Sequence, residues 1–132
     1  MIGHTSDERG SGTAVALGVI AALIVVVAVI HLLTAVAVAK AHASAGADLA
    51  ALAAADTLRG LTTGDPCSVA DQVATRNTTT MVECTVGGRF DTEVWITVSA
   101  DISVDVGLSD GFSLPVLQVE HTSRAGPPEA LP

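Results

Sequence analysis

Histidine and cysteine are the residues of this sequence best suited to holding a metal ion or attacking a substrate. There are four histidines and two cysteines in 132 residues. The histidines are His4, His31, His42 and His121. None has a second histidine three or four residues away, the spacing at which one helix face can hold a metal. Cys67 and Cys84 alone are too few for a structural zinc site. The sequence therefore predicts no metal and no cofactor.

A disulfide between Cys67 and Cys84 is the preferred interpretation of the cysteine pair, with two buried free thiols as the alternative. In the chain-entropy model, closing a loop of this length contributes about 3 kcal/mol. A small domain with little core would benefit from that crosslink. Because disulfides persist outside the cytosol, we expect this part of the chain to be extracytoplasmic.

No arrangement of side chains in the sequence points to catalysis. Serine and aspartate are common, but there is no nucleophile elbow and no glycine-rich phosphate loop. Asp101, Ser103 and Asp105 alternate on one face of a predicted strand and could bind a hard cation. A flat strand rarely supplies the six or more oxygens that calcium takes, so a solvated acidic face is the preferred interpretation. We predict no enzymatic activity and no small-molecule substrate.

The charge balance is strongly acidic, with a formal net charge of −8. Most of the acidic side chains follow position 60, where only three arginines oppose them: Arg76, Arg89 and Arg124. Such a surface argues against binding nucleic acid, whose phosphates require Lys and Arg. It also argues against docking on anionic lipid headgroups. A solvated surface that keeps a small domain soluble explains the charge.

One stretch, Thr13–Ala39, organises the rest of the chain because it contains no Lys, Arg, Asp or Glu. At ~1.5 Å per residue its helix would be roughly 40 Å long, more than a hydrocarbon core of about 30 Å. The stretch is apolar all round, which disfavours the core helix of a soluble protein. We predict a transmembrane helix over 13–39. A hydrogen bond from His31 to the backbone or to a neighbouring helix is preferred over a functional role.

Residues 1–12 are expected to be a short cytoplasmic leader before an uncleaved signal anchor. Their positive charge is slight, and the apolar stretch is longer than that of a secretory signal. The positive-inside count is nearly tied between Arg9 and Lys40. Orientation therefore depends on the cysteines, which favour a single-pass protein of the cell membrane with its N terminus in the cytoplasm and its C-terminal domain outside.

The helix is expected to continue outside the membrane over 40–60, since alanine, the best helix former, dominates there. A bend is expected near Gly46, and Gly60 begins the segment that ends the helix. An apolar stripe recurs at approximately helical spacing: Ala41, Ala45, Leu49, Leu52 and Ala53. Its small residues would permit the close approach of another helix; compositional bias toward alanine is the equal alternative.

Residues 61–125 predict a small extracytoplasmic α+β domain. Asp65 as N-cap and Pro66 at the first helical position begin a short amphipathic helix over Cys67–Asn77. Period-two alternation predicts strands, which are Thr80–Val86, Glu93–Val106 and Leu114–Arg124. The second is longer than most strands, so a bend or bulge is expected near Ser99–Asp101. Residues 126–132 are expected to be a disordered tail.

The predicted fold class is α+β, with a long N-terminal transmembrane helix that extends outward. It is followed by a short helix packed on an antiparallel sheet of roughly three to four strands. On the first strand, Val82, Cys84 and Val86 would face the short helix, which could bring Cys67 to Cys84. Trp95 lies on the otherwise polar sheet face, as an interaction anchor or packed under the C-terminal tail.

Three segments, in order, carry a resemblance to a known family: DERGSGTAV at 7–15, ADLAALAAA at 47–55 and GDPC at 64–67. With the apolar stretch between the first two, the chain resembles the TadE-like proteins of bacterial Tad (Flp) pilus and secretion loci. It is similar in particular to the helicase/secretion neighbourhood TadE-like branch. The resemblance extends from the N terminus to Cys84.

The resemblance implies a pseudopilin-like membrane protein, without enzymatic activity, that assists assembly of a pilus or its secretion machinery. Its N-terminal helix would contact other pilus or secretion membrane proteins. Related prepilins are cut after a glycine, for which Gly10 and Gly12 are the candidates. The glutamate usual at the fifth mature position is replaced by Val15 or Leu17. The alternative hypothesis is a membrane-tethered extracytoplasmic binding module, unrelated to pilus assembly, that uses Trp95 and the acidic sheet face.

Overall fold

The computed structural model describes residues 8–103 and 117–127. Over these residues the chain forms two helices and a three-stranded antiparallel sheet in the order β1-β2-β3. The elements are α1 (Glu8–Leu58), α2 (Pro66–Arg76), β1 (Thr80–Gly87), β2 (Glu93–Asp101) and β3 (Gln118–Ala125). The fold is α+β, as predicted. Contacts between Cα atoms divide the chain into two compact units, Met1–Thr34 and Ala35–Pro132.

The core of the second unit is built from the smallest apolar side chains of α1. One face of this helix is buried, and its residues are Ala43, Ala47, Ala50, Ala51, Ala54 and Ala55. They form one apolar cluster with Val94, Ile96 and Val98 of β2. These alanines of α1 therefore contribute directly to the core of the second unit.

Both helices have ends that the local sequence explains. In α2 the Asp65 side chain accepts a hydrogen bond from the Ser68 backbone N–H at 2.9 Å, with Pro66 in the first turn. This is the predicted N-cap. At the end of α1, Gly60 has φ +75°, its N–H donates to Thr57 O, and the N–H of Leu61 donates to Asp56 O, both at 3.0 Å. These two bonds form the glycine-dependent Schellman cap.

Gly46 lies where the chain between α2 and β1 meets α1. A Cβ atom added to Gly46 would stand 2.5 Å from Thr79 Oγ1. The buried Thr79 hydroxyl donates to Ala74 O at 2.8 Å, which holds it against the helix. Helix α1 continues through this position. The glycine is thus explained by the close approach of Thr79, whereas the sequence suggested a bend.

The strands pair in register over most of their length, but β1 contains an irregularity. The β1–β2 register shifts between Met81 and Glu83, which is a β-bulge. Met81 pairs with Val98 and packs against the core, whereas Val82 is 54% exposed. The expectation that Val82 faces inward is therefore wrong, because a bulge inserts one residue and reverses the alternation on one side of it. Cys84 does face inward, opposite Ile96.

The second predicted strand is shorter in the structure than in the sequence prediction. Strand β2 ends at Asp101, after which the Ile102 N–H donates to Leu117 O at 2.9 Å. Its pairing with β3 is continuous from Val94 to Asp101, so no bulge interrupts this pair near Ser99–Asp101. Strand β3 begins at Gln118. Positions 104–106 and 114–116 of the predicted strands lie outside the described residues.

Candidate functional site

The N-terminal part of α1 exposes large apolar side chains around its whole circumference. It contains a window of 18 residues with mean hydropathy 3.0, none of it buried within the protein. Its exposed side chains include Val15, Leu17, Ile20, Leu23, Ile24, Val27 and Ile30. Among the described residues this is the one helix long and apolar enough to cross a membrane, judged by length and composition. A helix that is apolar on all sides needs an apolar environment.

Two polar side chains, Thr34 and His31, interrupt this stretch, and they differ in their hydrogen bonding. Thr34 Oγ1 donates to Ile30 O at 2.9 Å, within the helix. His31 is exposed, and the structure records no hydrogen bond to its imidazole. In a lipid environment an imidazole with no partner is costly, and such residues face protein or a water-filled cavity. Among the described residues the His31 imidazole therefore has no recorded hydrogen-bond partner.

The structure joins Cys67 and Cys84 in a disulfide, with their Cα atoms 5.9 Å apart. Cys67 lies in the first turn of α2, and Cys84 lies on the inward face of β1. Next to the crosslink, Ala70 and Ala74 of α2 are buried in the core. The disulfide thus ties the short helix to the edge strand of the sheet, as the sequence indicated.

Trp95 lies near the start of the middle strand β2, opposite Arg124 of β3, and contacts this charged neighbour. The Arg124 guanidinium carbon lies 5.4 Å from the centre of the Trp95 ring. Arg124 is also paired with Glu93, with Nη2 and Oε2 2.6 Å apart. Glu93 is 4% exposed. Arg124 of β3 thus makes two contacts with β2, a cation–π contact with Trp95 and an ion pair with the buried Glu93 carboxylate. The tail proposed to cover Trp95 lies mostly outside the described residues.

The acidic residues considered for cation binding do not converge in the described part of the chain. The Asp101 carboxylate accepts a hydrogen bond from the Gln118 side-chain amide at 2.8 Å. Asp105 lies outside the described residues. Over 8–103 and 117–127, no three His, Cys, Asp or Glu side chains form a group that could hold a metal.

The candidate processing positions Gly10 and Gly12 lie within α1, near its start. Both are exposed. A Cβ added at either position would meet nothing within 4 Å. Neither glycine is thus required for packing within the protein, and processing after either one stays a prediction.

The apolar stripe on residues 40–58 faces away from the core. Leu49 is 46% exposed and Leu52 is 54% exposed, and Ala41 and Ala45 are also exposed. We call these four residues the outward face of α1. The sequence identified this stripe by its leucines but did not single out the alanine face that forms the core.

The sheet holds α1 in this orientation through a polar contact as well as through the core. Ser123 of β3 donates a hydrogen bond from Oγ to the Asp48 carboxylate of α1. Asp48 is exposed and borders the outward face. No signal in the sequence links these residues, since 75 positions separate them.

Comparison with protein-family models, with curated proteins and with solved structures finds no match to this chain. The geometry described above and the resemblance of the three sequence segments are therefore the basis for a functional proposal.

Proposed function

We propose that this protein is a single-pass membrane protein of the TadE type that assists assembly of a Tad pilus or its secretion machinery. The single observation that carries the proposal is the exposed apolar stretch of α1, which belongs to the helix whose later residues form the core of the outer domain. An apolar stretch of this length would anchor the chain in a membrane. The family resemblance of residues 7–15, 47–55 and 64–67 supplies the pilus assignment.

The proposed role is docking without catalysis. The described residues present two contact surfaces: the apolar membrane stretch and the outward face of α1. Both are helix surfaces suited to packing against other helices. Partners would be membrane proteins of the same pilus or secretion system, contacted through α1. The acidic domain, held together by the Cys67–Cys84 disulfide, would lie outside the cytoplasm, where a disulfide persists.

The alternative is a membrane-tethered binding module that uses Trp95 on the outer sheet face. An interaction anchor is most effective when an aromatic side chain is free to enter a partner's pocket. Here the Arg124 guanidinium lies over the Trp95 ring. A ligand would first have to displace it. The observations therefore favour the helix surfaces over the sheet face as the contact site.

The first experiment measures the intact mass of the full chain extracted from its own membranes, with thiol alkylation and without reductant. We expect membrane retention after alkaline carbonate washing and no alkylated cysteine. A mass lacking residues 1–10 or 1–12 would support prepilin-type processing. A full-length mass would favour an assembly role outside the filament. Recovery in the wash supernatant, or two alkylated thiols, would contradict the anchored, extracytoplasmic arrangement.

The second experiment tests the partners by crosslinking in intact cells followed by purification of the tagged chain. Under the pilus hypothesis, membrane components of the pilus or secretion system should be recovered. Their recovery should fall in a variant with Leu49→Glu and Leu52→Glu, whereas Trp95→Ala should leave it unchanged. Loss only with Trp95→Ala would support the binding-module alternative.

A further inference from the structure

The first turn of α2 is held to the rest of the second unit by few contacts. The chain that leads into it, residues 59–65, is exposed throughout. The first buried residue of the helix is Ala70, which has only a methyl side chain. No hydrogen bond between described residues joins 63–69 to α1 or to the sheet. Apart from packing, the Cys67–Cys84 disulfide is therefore what attaches this turn to β1.

The other end of α2 is attached in a way that does not depend on the disulfide. The Thr79 backbone N–H and side-chain hydroxyl both donate to Ala74 O, at 3.1 Å and 2.8 Å. Thr79 is buried and lies against Gly46 of α1. Strand β1 begins at the next residue. The C-terminal end of α2 is thus fixed to both α1 and the sheet by local contacts.

This difference between the two ends determines what breaking the crosslink does. Stabilisation by burial scales with the apolar area removed from water, and the first turn of α2 buries little of it. Parts of a protein with few buried apolar contacts open locally at a lower free energy than the whole domain unfolds. We propose that the Cys67–Cys84 disulfide is a redox-sensitive latch, whose reduction releases the segment 61–69 from β1 while the rest of the second unit stays folded. The proposal requires neither membrane anchoring nor the pilus role.

Opening the latch is a two-electron reduction by a dithiol. Both cysteines are half-buried, and Cys84 lies on an edge strand of the described sheet, which gives an external thiolate access. One thiolate of the dithiol attacks a sulfur of the pair, the S–S bond breaks, and the other cysteine leaves as a thiolate that takes up a proton. The second thiolate of the dithiol then displaces the remaining cysteine, which is protonated in turn. The dithiol ends as a disulfide, and Cys67 and Cys84 end as thiols.

Release of the segment 61–69 changes the surface of the protein at β1. Cys84 packs against the apolar core and lies opposite the fully buried Ile96. In the oxidised protein the crosslinked turn of α2 lies next to this side of the strand. The reduced protein therefore presents a free thiol beside apolar side chains that the oxidised protein covers.

The test is hydrogen–deuterium exchange, followed by mass spectrometry, on the full chain in detergent before and after treatment with dithiothreitol. The amides of residues 68–71 report on the latch, and those of β2 report on the sheet. On reduction we expect exchange at 68–71 to accelerate by about tenfold or more and exchange in β2 by less than about twofold. The amide of Thr79 should stay slow, because its hydrogen bond to Ala74 O does not depend on the crosslink. Reoxidation should restore slow exchange at 68–71.

The matched control is the variant with Cys67→Ser and Cys84→Ser. It should show fast exchange at 68–71 without reductant and no response to dithiothreitol; a response would overturn the proposal, because the reductant would then act elsewhere. Equal acceleration of 68–71 and β2 in the natural chain would overturn it as well, since the disulfide would then stabilise the domain as a whole. Unchanged exchange at 68–71, with both thiols shown to be free by alkylation, would overturn it too.

Discussion

Replacing Gly46 with alanine tests the packing of the second unit at the point where Thr79 meets α1. The added Cβ would lie 2.5 Å from Oγ1 and 2.8 Å from Cγ2 of Thr79. Thr79 is buried and its hydroxyl is bonded to Ala74 O. It cannot move away without losing that bond. Gly46→Ala is therefore expected to destabilise the domain, although alanine is the better helix former.

The magnitude follows from three opposing contributions. Alanine in place of glycine in a helix interior stabilises by about 1 kcal/mol. Overpacking a buried contact costs about 1–3 kcal/mol. Displacing the hydroxyl of Thr79 from its acceptor costs about 1 kcal/mol more. The unfolding free energy should thus fall by about 1–3 kcal/mol, because the cost of the lost hydrogen bond and the gain in helix propensity cancel.

A double-mutant cycle with Thr79→Ala separates the clash from helix propensity. In that background the nearest remaining contact is the Cβ of residue 79, at 3.2 Å. Gly46→Ala should then be neutral or stabilising by up to about 1 kcal/mol. The coupling between the two positions should be about 2 kcal/mol. The assay is denaturant unfolding of the full chain in detergent, followed by Trp95, the sole tryptophan.

Additive effects of Gly46→Ala and Thr79→Ala on the unfolding free energy would contradict the predicted clash. If Gly46→Ala changes stability equally with threonine or alanine at position 79, then Thr79 does not pack against the helix as described. Gly18→Ala supplies the control, because a Cβ there meets nothing within 4 Å. That substitution should not lower the stability of the outer domain.

Three further outcomes are expected from the same unfolding assay. Replacing both cysteines with serine should lower the unfolding free energy by about 3 kcal/mol, because the crosslink spans 17 positions; no change would mean that the thiols are free. Met81→Ala should cost about 1–2 kcal/mol and Val82→Ala less than about 0.5, since the bulge turns only the first inward; the reverse order would disprove the bulge. Arg124→Ala, which leaves the buried Glu93 carboxylate without its ion pair, should cost about 1–3 kcal/mol and shift the tryptophan emission. The exposed Arg89→Ala is its control and should change neither.

The two helices could be located from the sequence because their signals are local. Thr13–Ala39 lacks charges, and Asp65 followed by Pro66 is a strong start for a helix. The structure begins α2 at Pro66 and extends α1 from Glu8 to Leu58. Strands β1 and β2 were likewise evident from the alternation of apolar and polar residues. These properties depend on neighbours within a few positions, and local sequence determines them.

The sequence allowed the disulfide to be predicted, but it did not allow the contacts of Trp95 to be predicted. The pairing of Cys67 with Cys84 followed from there being two cysteines and from the expected inward direction of Cys84. The cation–π contact between Arg124 and Trp95 could not be predicted, because it depends on the register between β2 and β3. Nothing near Trp95 in the chain indicates which residue of a distant strand will lie opposite it.

What the sequence determined by itself is therefore a membrane-length helix, a short capped helix and strands with one apolar face. The tertiary structure decided which side of residues 40–58 is buried. Alanine occurs around most of that segment, so periodicity discriminates poorly between its faces. The apolar side chains of β2 bury the alanine face. Ser123 holds Asp48 to the sheet, and Thr79 fits against Gly46. Leu49 and Leu52 are left exposed because the sheet packs against the other side of the helix.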